Sequence, residues 1–449
     1  MTTHHDGLFE EVLAEALGAE RGPLAGAELY ERRGSRLEMT EDESGRSVTE
    51  VAERGLALRL FRGGRTGFAA AGPEGSGSLV PTAAALVPRA RARRGVRAAS
   101  PLPGEARDTT PLADPPAPSE ERLLETLATF RQNVQAAAKG AVVLREATVQ
   151  AGERRERIAT SGGREASWGS TGASLVASVA VRATAGRFSA RVVAIAARLD
   201  ELPLARLARY AADRLLLPLA GEAAASGRTD ILLDPHVAAH LVGRLAPLFY
   251  GDAEEALLEA RTRDGRDPLA SGAVTLVDSP QAPGGPIRTP RDGEGTPQQR
   301  TVLLDRGRLA ERMTDVATAT RTERPATGNA LRLTWTSPPE IGPTNFFADP
   351  TGGVSPLDLL GSVRKGIYAA ALLERPEVDL AADQFRLVAA GWAIDQGRAA
   401  GKISEVTIGG RLSDFLRSVA ATGDDLKFVT SPRGGAGSPT LLVPRWLIP

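Results

Sequence analysis

The sequence predicts an α+β fold, with an N-terminal α/β-type domain followed by a β-rich C-terminal domain of mostly antiparallel sheet with interspersed helices. Three observations carry this expectation. At 449 residues the chain is too long for one ordinary core, so two or three domains are expected. Long apolar patterns of helical period fall before residue 220, and short strand-and-turn runs dominate after it. Hydrophobic content of 42% and charged content of 24% are those of a globular chain.

In chain order, the first element is an amphipathic helix carrying Leu8, Phe9, Val12, Leu13, Ala16 and Leu17, with Gly22-Pro23 as its breaker. Strand-like runs follow at 27–30, 47–49 and 55–61. The last leads through Gly63-Gly64 towards Phe68, which is a hairpin signal. Residues 100–119 hold Pro101, Pro103, Pro111, Pro115, Pro116 and Pro118 and read as a linker. Leu123, Leu124, Leu127, Phe130 and Val134 then mark a second helix. Strands are expected at 142–144, 175–181 and 192–195, the last two joined through Ala185-Gly186. A helix bearing Leu204, Leu207, Ala208, Ala211 and Leu215 closes at Pro218. The boundaries expected are therefore 1–99 for the N-terminal α+β region, 100–119 for the linker, 120–226 for the remainder of that domain and 227–449 for the β-rich domain. Within the last, strands are expected at 231–233, 274–277, 302–304, 331–335, 406–408 and 441–443. Helices are expected near 236–245, 357–364 and 412–419.

Composition excludes several functions. Lys+Arg and Asp+Glu are equal at 55 each, which leaves no surplus for a generalised polyanion binder. The chain has no cysteine, which removes disulfides, thiolate metal sites and cysteine nucleophiles and accords with a cytoplasmic location. Residues 1–17 lack the basic-then-apolar pattern of a secretory signal, and no apolar run reaches 18 residues, so no membrane partner is expected.

The candidate chemistry is sparse. His4 and His5 fall in a terminal tail. His236 and His240 stand four residues apart, which puts both on one helix face as a zinc site needs. Val237, Ala238 and Ala239 separate them, so the glutamate of an HExxH base is missing, and no cysteine or further histidine supplies a third ligand; the pair is rejected as a metal site. Gly434-Gly435-Ala436-Gly437-Ser438 lacks a P-loop lysine. Arg89, Arg91, Arg93, Arg94 and Arg97 lack interleaved aromatics and read as a solvated face, so no nucleic-acid partner is expected. There is no G-x-S-x-G elbow.

Several segments in collinear order resemble the TldD/TldE (PmbA) family. They are Val51–Arg59 through Gly67-Phe68-Ala69, Asp292-Gly293-Glu294-Gly295-Thr296-Pro297, the stretch from Leu303–Gly307 to Asp315–Ala319, Thr327-Gly328-Asn329-Ala330, Pro343-Thr344-Asn345, Gly391–Gly397 and Ser438-Pro439. Catalytic members carry HExxxH and a C-terminal cysteine ligand. With the first histidine placed at His240, Leu241 stands where the glutamate belongs and Leu245 where the second histidine belongs. A zinc-activated water needs at least three ligands and a base. The resemblance therefore implies the TldE-like, metal-free, non-catalytic subunit of a heterodimeric metallopeptidase. Zinc would be held by an HExxxH-bearing TldD-like partner, and the pair would process or degrade unfolded, extended peptides, including the maturation of peptide natural products. The turns holding Asp292, Glu294, Gly295, Thr327, Gly328 and Asn329 are the candidate chamber-lining or peptide-contacting residues; Gly and Asn also suit the tight turns themselves. Two alternatives stay open: a standalone peptide-binding homodimer, and a repurposed enzyme of natural-product biosynthesis.

Overall fold

The computed structural model describes residues 7–19, 26–92, 108–110, 118–184, 188–253, 268–431 and 433–449. His4, His5, Gly22-Pro23, Arg93, Arg94, Arg97, most of the Pro-rich stretch and the turn at Ala185-Gly186 lie outside the described residues. The fold is α+β, with antiparallel sheets and interspersed helices.

The N-terminal half is organised by four long strands: β1 (Gly26–Asp42), β2 (Gly45–Arg62), β5 (Val142–Thr160) and β6 (Glu165–Val181). With the shorter β3 (Arg65–Ala71), β4 (Asp108–Thr110) and β7 (Ser189–Ala196), they form a seven-stranded sheet of order β3-β2-β1-β5-β6-β4, and β7 also pairs with β6. The strands run far beyond the apolar runs expected of them. Most of the added length is polar, and its strand state comes from pairing rather than from pattern: β1 bonds along its whole length to β2 and from Glu28 to Glu41 to β5. The β2–β3 hairpin turns at Gly63 and Gly64, both with positive φ (56° and 72°), as a primed two-residue turn requires. Beyond its pairing with β3, β2 presents the open edge Gly45–Gly55, which carries Arg46, Glu50, Glu53 and Arg54, charges that discourage edge-to-edge association.

Helices cover this sheet in two groups. Helix α1 (Leu8–Ala19) buries Phe9, Val12 and Ala16 with α2 (Leu79–Leu86) against β1–β3. Helix α3 (Glu120–Ala137) is capped by Ser119, whose hydroxyl accepts from the Arg122 N–H, and packs with α4 (Leu204–Leu216) over β5–β7. Each buried leucine there, such as Leu123, Leu127 or Leu207, contributes about 2 kcal/mol of burial.

The chain then enters an eight-stranded sheet that includes β8 (Glu222–Ala223), β9 (Gly227–Leu233) and the long strands Lys365–Leu372, Gln384–Asp395 and Arg398–Arg411. A six-stranded sheet runs from Arg308–Leu309 to Lys427–Ser431. Between the two lies α5 (Pro235–Val242), inside the largest apolar cluster. Two expected strands shift. The run at 274–277 forms its strand at Leu276–Asp278. The run at 331–335 forms its strand at Ala330–Leu331, and Trp335 packs on Gly55, where a Cβ would sit 2.1 Å from the indole. The glycine-rich Gly434–Ser438 is a strand, paired in parallel with Asn345–Phe347.

Candidate functional site

Two places gather the polar residues singled out by the sequence, and the structure keeps them apart as separate networks. The first is α5. Strand β9 ends at Leu233, Asp234 caps the helix by accepting the His236 N–H at 2.8 Å, and Pro235 occupies the first turn. The second Asp234 oxygen accepts the Tyr368 hydroxyl at 2.6 Å. Burial holds the Asp234 carboxyl above its ordinary range.

His236 and His240 do fall on one face, with ring centroids 5.1 Å apart and nearly edge-on. His236 is buried beneath the Tyr210 ring, whose centroid lies 3.6 Å away, and its Nδ1 has no hydrogen-bond partner. Desolvation, with Arg214, Arg244 and Arg375 nearby, lowers the His240 imidazole to about 4. Desolvation, His240, Arg206 and Arg214 push His236 well below its ordinary value. Both rings are therefore neutral at pH 7. Leu241 and Leu245, at the positions assigned to the glutamate and the second histidine, are each 1% exposed and belong to the core. Among the described residues no three His, Asp or Glu side chains stand together as a metal-binding group. The donor set at α5 therefore does not fit a zinc ion.

Over His240 opens a cleft of about 590 Å³, lined by Tyr210, Arg214, Arg244, Tyr250, Arg375 and Arg433 among others. These arginines lie on segments far apart in the chain, and nothing in their local spacing marks them. Sequence reasoning missed them for that reason.

The second place is a buried seam between the N-terminal sheet and the turns of the C-terminal half. Asp292 is 4% exposed; one of its oxygens accepts the N–H groups of Glu294 and Thr296, each at 2.9 Å, and the other accepts the Ala330 N–H at 3.0 Å. Burial and the neighbouring Glu294 push its carboxyl up to about 7. Gly295 has φ of +74°, and a Cβ there would lie 2.7 Å from Ile158. Glu294 accepts Arg59 at 2.8 Å and the Val316 N–H at 2.9 Å. Arg59 also pairs with Glu28, which receives Arg332 at 3.0 Å. Arg332 sits over the Tyr30 ring at 4.2 Å, and Tyr30 and Arg32 both donate to Glu156.

Thr327 and Asn329 continue the seam. The Thr327 hydroxyl donates to Asn329 at 2.7 Å, and Asn329 donates to Asp278 at 2.7 Å, a carboxyl that burial raises to about 7. Gly328, with φ of +76°, lies against the Pro297 carbonyl. Asn345 bridges the Ser279 and Ile287 carbonyls, each at 2.8 Å. All six candidate chamber residues thus sit below the surface of this chain, and the polar side chains among them have partners within it.

Residues 226–448 match the family model described as the PmbA/TldA metallopeptidase C-terminal domain. A metalloprotease of Methanothermobacter thermautotrophicus is 26% identical over 238 residues, 51% of this chain and 50% of that protein. A metalloprotease TldD homolog of Buchnera aphidicola is 30% identical over 166 residues, 35% of this chain and 33% of the relative. The chain therefore spans half or less of the length of these relatives. Its fold is shared with TldE of Thermococcus kodakarensis, at a TM-score of 0.80 and 17% identity, over 98% of this chain and 99% of the other.

Proposed function

Through its C-terminal domain the chain belongs to the PmbA/TldD family of metallopeptidases, and from that premise we propose that it is the metal-free, non-catalytic subunit of a two-chain TldD/TldE-type zinc peptidase. The observation that carries this reading is the make-up of α5 and the turn Gly243–Phe249 that follows it. Activating a water on zinc requires three protein ligands and a base to accept the proton. Here the base position is Leu241 and the next ligand position is Leu245, both within the core, and the chain has no cysteine. Rebuilding the site would place polar groups in an apolar cluster, at a cost of several kcal/mol.

The zinc and its chemistry belong, in this proposal, to an HExxxH-bearing TldD-like partner. This chain supplies a wall of the shared chamber and helps admit unfolded, extended peptides. Main-chain pairing of such peptides as added strands would explain tolerance of sequence. The dedicated role proposed is maturation of a peptide natural product in the cytoplasm, with general degradation of unfolded peptides as the broader one.

The test is co-expression with an HExxxH-bearing homologue from the same genome. The pair should purify as a stoichiometric complex that cleaves an unstructured peptide, with zinc only in the partner, while each chain alone is inactive. Chelator-sensitive hydrolysis by the isolated chain, with one tightly held zinc, would overturn the proposal.

A further inference from the structure

The cleft over His240 has a charge imbalance that the chain as a whole does not. The whole sequence balances 55 cations against 55 anions. The cleft wall carries four arginines (Arg214, Arg244, Arg375 and Arg433) against one carboxylate, Glu374. Glu374 is engaged by Arg386 at 3.0 Å, and Arg433 is engaged by Glu340 at 3.0 Å. Arg214 makes one long contact, at 3.4 Å, with the Leu373 carbonyl. Among the described residues, no carboxylate lies within ion-pair distance of Arg214, Arg244 or Arg375. Three guanidinium groups thus converge on one concavity with their charge unanswered. That arrangement repels a metal dication and attracts an oxyanion, which a guanidinium fork binds through two parallel hydrogen bonds.

The rest of the cleft says what carries the anion. Its volume of about 590 Å³ lies in the range of sites that enclose organic ligands. Between the arginines, Leu372, Val378 and Leu380 offer apolar wall, which suits a carbon-bearing body better than a bare inorganic ion. We propose that this cleft is a carboxylate site that takes the anionic group of an extended peptide, either the chain's terminal carboxylate or an acidic side chain. The proposal relies on the peptide as substrate class in the reading above, but not on the partner subunit.

The isolated full-length protein suffices for the test. Isothermal titration at about 50 mM salt would use an unstructured peptide of about eight small and apolar residues in three forms: free acid, C-terminal amide, and amide with one internal glutamate. The free acid is expected to bind, and the plain amide to bind roughly tenfold more weakly or worse. Affinity for the acid should fall as salt rises to about 0.3 M. Arg244→Glu and Arg375→Glu, both at exposed positions, should each cost about tenfold or more, whereas Arg398→Glu, outside the cleft, should not. Thermal melts would verify that each variant folds. If the glutamate-bearing amide matches the acid, the site takes side-chain carboxylates; if only the free acid binds, it takes the terminus. Equal binding of acid and amide, indifference to both arginine reversals, or no binding of any form up to about 1 mM would each overturn the proposal and leave the two-subunit reading untouched.

Discussion

His240 and Asp292 are both titratable side chains taken out of water, and desolvation moves them in opposite directions. The imidazole is lowered to about 4 and the carboxyl is raised to about 7, because burial disfavours whichever form carries charge. For His240 the folded value lies below the unfolded one. Between about pH 6.5 and 4 the unfolded chain binds a proton that the native ring does not, so stability falls as pH falls through that window. Asp278 and Asp292 pull the other way over a similar range, since their native carboxyls are protonated first. The histidine contribution is therefore read as a difference between proteins. Urea unfolding at pH 7 and pH 4.5 should show His240→Gln losing less stability on acidification than the parent, by on the order of 2 kcal/mol. Equal losses would contradict a neutral buried ring. Charge balance governs the seam in the same way. Arg59 answers both Glu28 and Glu294, so Arg59→Met leaves the buried Glu294 without its cation and Glu28 with Arg332 alone. Denaturant titration should register a loss of roughly 3–5 kcal/mol, far above that of a surface pair.

Among the elements, helices were more legible than strands, and α5 shows what a helix pattern can and cannot say. The His236/His240 spacing correctly put both rings on one face, and the apolar neighbours correctly marked a core helix. What the sequence could not convey was the cleft over that helix, since its arginines come from α4, the turn after α5, the turn at Arg375 and the start of the strand at Gly434. The long strands were under-read for a related reason. Arg32 and Glu156 are direct cross-strand partners, as are Glu28 and Arg59, so charges that look like loop in one dimension cancel across the ladder. Because α5 is apolar by packing, restoring the family motif should not restore the site. Leu241→Glu combined with Leu245→His is expected to lower stability by roughly 3 kcal/mol or more and to bring no stoichiometric zinc. Denaturant titration and metal analysis of the purified variant check both parts.

At the scale of the molecule, the turns singled out as chamber-lining candidates lie at a joint between the N-terminal sheet and the C-terminal half. Asp292, Glu294 and Asn329 were singled out for loops that touch substrate, yet their oxygens and nitrogens meet Arg59, Val316, Ala330 and Asp278. The turn types were legible because Gly and Asn announce them; the burial was not, because it depends on contacts with the N-terminal sheet that span 132 to 304 residues of chain. Arg332 is the clearest of these joints. It is almost fully buried, bonds Glu28 of β1 at 3.0 Å, donates to the Gly293 carbonyl at 3.1 Å and covers the Tyr30 ring. Each contact crosses from the C-terminal turns to the N-terminal sheet or fixes the turn that does so. If the seam couples the two halves, the parent should unfold in one cooperative transition. Arg332→Ala would then strip Glu28 of one cation and open a cavity beside Tyr30, weakening the joint more than either core. Calorimetry of the variant should then resolve two transitions, with the far-UV circular dichroism and tryptophan fluorescence changes separating in temperature. A single transition merely shifted downward would mean that the apolar contacts between the halves, such as Ala371 of the C-terminal sheet within the α3–α4 cluster, hold them together without the charges.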